Sequence, residues 1–171
     1  MDYSRIFSDY EMESGDYADE ATPEVISRAE QVVGYKLPPS YVRLLQFQNG
    51  GYIERPIFPF HEKTSWADDY IHFDHVFGVG GEQGIDSETG SHYLIKEWDY
   101  PEVGVVINSD GHTAFMLDYS ELTAEGEPRV IFVDTELSET SRTFILAPDF
   151  ETFLSKLQPE DSIVFDDEAR A

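Results

Sequence analysis

The periodicity of the apolar residues changes twice along this chain, and those two changes restrict the fold more than any single motif. From Thr22 to Phe47 apolar residues recur at helical spacing. From Tyr52 to Ala147 they come in short runs rich in aromatic and β-branched residues, broken by Gly, Asn and Asp. Helical spacing returns with Phe150, Phe153, Leu154 and Leu157 at i, i+3, i+4 and i+7. Such a chain belongs to the α+β class: two N-terminal helices, a central antiparallel multi-stranded sheet that meanders, and a C-terminal helix packed on it.

Local signals place the boundaries. Thr22 is a cap candidate, Pro23 suits a first helical turn, and Val25, Ile26, Ala29, Val32 and Val33 follow at helical spacing until Gly34 stops the helix. Pro38 and Pro39 force an extended entry to a second helix with Tyr41, Leu44, Leu45 and Phe47 on one stripe, and Asn49-Gly50-Gly51 ends it. Strands are expected at Ile57 to Phe60, Ile71 to Val79, Val103 to Ile107, His112 to Tyr119, Arg129 to Asp134 and Arg142 to Leu146. Asn108-Ser109-Asp110-Gly111 reads as a hairpin turn, because these residues tolerate positive φ.

Charge then bounds the partners. The 171 residues hold 35 Asp and Glu against 11 Lys and Arg, a net charge of −24. Residues 1–21 and 158–171 together hold 12 acidic and 2 basic residues, a net of −10, which leaves −14 on residues 22–157. The chain therefore divides into an acidic N-terminal extension (1–21), a folded domain (22–157) and an acidic C-terminal tail (158–171). Both ends carry apolar residues suited to docking on the body: Tyr3, Phe7, Tyr10 and Tyr17 in the first, Ile163, Val164 and Phe165 in the second. Binding to nucleic acid through phosphate contacts is excluded, since it draws on clustered Lys and Arg, and an anionic membrane surface is excluded for the same reason. With no cysteine there is no disulfide, thiolate metal site or cysteine nucleophile. Met1 to Arg5 is not a basic segment followed by an apolar run, and no stretch approaches ~20 apolar residues, so a cytoplasmic location is expected.

No set of residues has catalytic or metal-binding spacing. Pro38 shapes a helix entry and Gly50-Gly51 a helix exit. His72 and His75 lie three apart in a strand-like run and point to opposite faces, while His72 with Asp74 supplies fewer ligands than zinc takes. Gly78 to Gly84 has Gln83 where the dinucleotide fingerprint needs Gly, lacks a Lys-Ser/Thr pair, and carries Glu82, which repels phosphate. Asp86-Ser87-Glu88 lacks the remaining ligands of a calcium loop. An enzyme, a cofactor and a metal are therefore not expected. Trp66-Ala67-Asp68-Asp69-Tyr70 and Lys96-Glu97-Trp98-Asp99-Tyr100 set aromatic residues among carboxylates, the composition of interface hot spots; core tryptophans with solvated neighbours would look the same.

One combination of segments resembles a known family. Ala29-Glu30-Gln31-Val32-Val33-Gly34-Tyr35-Lys36-Leu37-Pro38-Pro39-Ser40-Tyr41, then Asn49-Gly50-Gly51, is similar to the signature of the SUKH superfamily, which includes bacterial immunity proteins and fungal cell-wall-synthesis regulators. Val103 to Gly111 with Phe115-Met116-Leu117-Asp118 resembles the family's hairpin, and Arg129 to Asp134 and Asp149 to Leu154 its last central strand and C-terminal helix. The resemblance implies a non-catalytic immunity protein that neutralises a cognate polymorphic or contact-dependent toxin domain by direct stoichiometric binding; the alternative is a regulatory scaffold for an endogenous enzyme or signalling partner. Many such toxins are nucleases. A site built to hold phosphate is basic, so an acidic inhibitor is steered to it. The expected partner contacts are Trp66, Asp68, Asp69, Glu82, Asp86, Glu88, Glu97, Trp98 and Asp99, with the aromatics as anchors and the carboxylates pairing with Arg or Lys.

Overall fold

A computed structural model describes residues 1–138, 140 and 142–163. Val164 and Phe165 of the acidic tail, with Asp166, Asp167, Glu168 and Arg170, lie outside the described residues. Helix α1 (Pro23–Val33) begins where the Thr22 hydroxyl accepts from the Val25 amide at 3.3 Å, and it ends on a left-handed Gly34. It buries Ile26, Ala29 and Val33. Helix α2 (Pro39–Phe47) buries Tyr41, Leu44 and Leu45, while Phe47 stays largely exposed and meets the rings of Tyr3 and Phe7.

Four short strands follow in two separate antiparallel pairs: β1 (Gly51–Tyr52) with β4 (His75–Val76), and β2 (Ile57–Pro59) with β3 (Tyr70–His72). The run Ile71 to Val79 is thus not one strand. At Phe73 and Asp74 the chain changes partner, the Phe73 amide donating to the Pro56 carbonyl and the Asp74 carbonyl accepting from Ile53.

The main sheet is a four-stranded antiparallel meander of β5 (Gly104–Ser109), β6 (Thr113–Leu122), β7 (Pro128–Asp134) and β8 (Thr143–Ala147), with helix α3 (Ser91–Trp98) preceding it. Both faces are covered, which is why β5, the first half of β6 and β7 bury side chains on both sides, while β6 runs out into solvent beyond Asp118. Val105, Ile107, Phe115, Leu117, Val130 and Phe132 face the main core with α1, α2 and the closing helix α4 (Phe150–Ser155). Val106, Ala114, Met116, Ile131 and Val133 face a second, smaller core closed by Ile95 of α3 and by Tyr100. Asp149 caps α4, its carboxylate accepting from the Thr152 amide at 2.7 Å, and Phe153 meets the rings of Phe58, Phe73 and Phe115 in the core. Helix α3 is not among the expected elements and lies between the segments that carry the resemblance, although Ser91, Leu94, Ile95 and Trp98 have helical spacing.

The first 21 residues lie against this body. Phe7 and Ala21 are part of the main core. The Ser8 amide donates to the Tyr52 carbonyl, and the Glu54 amide to the Ile6 carbonyl, so Phe7 bridges antiparallel to Ile53. Farther on, Ala18 donates to the Val79 carbonyl, and Gly15 and Asp16 accept from the amides of Glu82 and Gln83. Tyr17 is buried against Gly50, where a Cβ would come within 2.5 Å of its ring and where φ is +81°. Only glycine satisfies both conditions.

Candidate binding surface

The turn end of the main sheet gathers six of the nine expected contacts. Trp98, the last residue of α3, lays its ring on the β5–β6 turn: a Cβ at Gly111 would come within 2.6 Å of it, and His112 meets it edge-on at 5.3 Å. Asp99 closes α3 in the left-handed conformation at φ 55°, and its side chain faces Arg142 at 3.7 Å. The Arg142 guanidinium also donates to the Asp99 carbonyl.

A chain of hydrogen bonds ties this corner to the loop carrying Trp66. The Arg142 carbonyl accepts from the Asp134 amide at 2.8 Å. The carboxylate of Asp134 is buried and accepts from the amides of Ser65, at 2.7 Å, and Glu136, at 3.1 Å. Within the loop the Thr64 hydroxyl accepts from the amides of Trp66 and Ala67, and the Phe60 amide donates to the Asp69 carbonyl. The loop is therefore held by its own backbone and by a buried carboxylate from the sheet. Trp66 is 56% exposed and Trp98 37% exposed, so neither is a core residue. Asp68, Asp69 and Glu97 are exposed; Lys63 approaches Asp68 only to 3.9 Å, with both side chains in solvent. Such a pair contributes little.

The other three expected contacts lie elsewhere. Glu82 sits on the glycine-rich loop against the N-terminal segment, with its side chain exposed. Asp86 is engaged inside that loop, where its carboxylate accepts from the Gly80 amide at 2.8 Å. Glu88 is exposed in the turn before α3.

Two aromatic residues on the N-terminal side were outside the expected set. Tyr10 is 70% exposed and meets the ring of Tyr52 edge-on, and Tyr52 meets His75 in the same way. The sequence signal for Tyr10 was its position between Asp9 and Glu11, the same aromatic-among-carboxylates pattern that marks Trp66 and Trp98. The histidines do not converge. His72 approaches Glu160 at 3.3 Å, while His75 is turned to the Tyr17 hydroxyl at 2.7 Å. Among the described residues no three His, Asp or Glu side chains stand together as metal ligands, and no helix is long and apolar enough to cross a membrane.

A family model described as the SMI1 / KNR4 family (SUKH-1) matches residues 20–156. No curated protein matches the chain.

Proposed function

The chain belongs to the SMI1 / KNR4 family (SUKH-1), and from that premise we propose that it is an immunity protein, which binds a cognate toxin domain of basic, nuclease-like surface one to one and blocks it without catalysis. The observation that carries this reading is the turn end of the main sheet. Two exposed tryptophans stand among Asp68, Asp69, Glu97 and Asp99 on backbone fixed by Asp134, Arg142 and the β5–β6 turn. Pre-fixed aromatic anchors lose little conformational entropy on binding, and the carboxylates around them supply steering and pairing to Arg or Lys. Glu82 and Glu88 add to the field that attracts the partner rather than to this contact.

The test begins with capture of the bound polypeptide from the native host and measurement of its inhibition. Replacing Asp68, Asp69, Glu97 and Asp99 together by Asn or Gln should slow association about tenfold at low salt and flatten its salt dependence. Trp66→Ala and Trp98→Ala should each speed dissociation, by about tenfold or more for a hot-spot residue. Association kinetics that stay the same at low and high salt would reject this surface. Capture of an endogenous enzyme or signalling protein whose activity is tuned rather than abolished would favour a regulatory scaffold instead.

A further inference from the structure

Residues 9–14 arch between the two anchored stretches of the N-terminal segment. Two adjoining clefts that share Ser8 and Tyr10 lie along the arch. The first, of about 490 Å³, is lined among others by Asp9, Glu11, Glu13 and Asp19. The second, of about 410 Å³, is lined by Tyr10, Tyr52, Ile53 and Pro56, together with Ser8, His72, Asp74 and Glu160. No Lys or Arg lines either. Among the described residues Asp9, Glu11, Glu13, Asp19 and Asp74 form no ion pair, and Glu160 meets His72.

Tyr10 is unusual in this setting. It projects from an acidic arch, 70% exposed, yet its ring is set edge-on to Tyr52 at 4.9 Å, and Tyr52 is in turn set edge-on to the partly buried His75 at 4.9 Å. The backbone beside it is fixed by the Ser8–Tyr52 hydrogen bond. The result is an aromatic corner, two rings close to a right angle, with carboxylates next to it.

We propose that this groove docks an arginine-bearing segment of a partner protein, with a guanidinium stacked on the exposed Tyr10 ring in the Tyr10–Tyr52 corner and donating to Asp74 or Glu160. A planar guanidinium can stack on an aromatic face and bond to a carboxylate in its own plane, which an ammonium cannot do. Charge selects the occupant. A second copy brings another −24, and residues 164–171 of the same chain bring Asp166, Asp167 and Glu168 against Arg170. The proposal rests on the reading of the protein as an acidic binder of a basic partner, and it adds a second contact surface to that at the turn end of the main sheet.

The test uses the full chain titrated by calorimetry with a short peptide of alternating Arg and Gly at physiological salt, and with its Lys counterpart. The Arg peptide should bind more tightly. Tyr10→Ala, at a largely exposed position, should weaken it roughly fivefold, and Asp74→Asn with Glu160→Gln roughly tenfold, while Glu24→Gln with Glu125→Gln, which removes the same charge at exposed positions outside both proposed surfaces, should change it less than twofold. Equal losses from the two charge-removing pairs, or no loss from Tyr10→Ala, would overturn the groove in favour of a diffuse electrostatic attraction. The immunity reading is scored separately, by whether the captured toxin is inhibited. A groove that binds the Arg peptide in a protein that inhibits no toxin keeps this inference and rejects that reading. Toxin inhibition unaffected by Tyr10→Ala, together with equal peptide losses, does the reverse.

Discussion

Four groups converge on His75: the Tyr17 hydroxyl at 2.7 Å, the rings of Tyr52 and Phe77, and the Asn108 amide, which donates to the His75 carbonyl at 2.7 Å. Burial pushes its imidazole below the ordinary value, against the weaker opposing pull of Asp74 and Asp16. The neutral ring is therefore the form that holds Tyr17, and with it the N-terminal segment. Above about pH 6.5 His75 is neutral in both folded and unfolded chains and costs nothing. As pH falls below that value the unfolded chain takes up the proton first, so stability is lost progressively until the folded His75 also titrates. Asp118 acts in a lower window. Burial opposes its charge, but hydrogen bonds from Ser120 and Arg129 outweigh it and hold the carboxylate below its ordinary value. Its contribution is present above about pH 3.9 and lost below. Urea midpoints measured from pH 7 to pH 5 should therefore fall for the wild type and fall less for His75→Gln, which can hold Tyr17 without titrating. Parallel pH profiles would show that His75 has no such role.

At the level of elements, the geometry of β5 is what joins the sheet to its surroundings. A bulge at Ile107, between the pairs Val106–Met116 and Asn108–Phe115, breaks the regular ladder, and Asn108 beyond it reaches the His75 carbonyl. Past it the turn brings Gly111, at φ +97°, under Trp98. Tyr100 fastens the same turn, its hydroxyl lying 2.7 Å from that of Ser109 and donating to the Gly111 carbonyl at 2.6 Å. Helix α3 is thereby pinned at its C-terminal end to the hairpin rather than only packed on its face. Gly111→Ala should lift the indole ring of Trp98, since the added Cβ would lie 2.6 Å from it. Tryptophan emission should shift to the red while far-ultraviolet circular dichroism stays unchanged. An unshifted spectrum would mean that the ring does not rest on the turn in solution. The Trp98 ring, a proposed partner contact, is in this sense positioned by a glycine in the turn beyond β5.

For the whole molecule, the excess of 35 acidic over 11 basic residues means that most carboxylates have no cation to pair with. Self-repulsion on this scale destabilises the compact state and is screened by salt, with a Debye length of roughly 30 Å at 0.01 M and 8 Å at 0.15 M. Thermal unfolding should therefore move up by several degrees between these two salt concentrations. Association with a basic partner should move the opposite way and slow as salt rises. A melting temperature that fell with salt would mean that the few ion pairs, such as Arg129 with Asp118 and Glu121, outweigh the net charge. The acidity is thus a cost in folding and, toward the basic partner proposed above, a gain in encounter.

Much of this protein is legible in its residue order. Thr22, Pro23 and Gly34 define α1 because caps and prolines act through neighbouring backbone, and the strand-like runs from Val103 to Leu146 give the four-stranded meander because β-branched and aromatic runs broken by turn residues are local signals. The aromatic-among-carboxylates pattern marks Trp66 and Trp98 as noteworthy without saying whether they are buried. The tertiary structure decided the rest. It divided Ile71 to Val79 between two pairs of strands, because strand pairing depends on partners far away in sequence. It brought Trp66 and Trp98 to one end of the sheet through Asp134 and Arg142, and it laid the N-terminal segment against Gly50 and the glycine-rich loop, placing Tyr10 on Tyr52. Local order fixes what a segment can become. Which surfaces meet depends on contacts between residues tens of positions apart, and those contacts exist only once the chain has closed on itself.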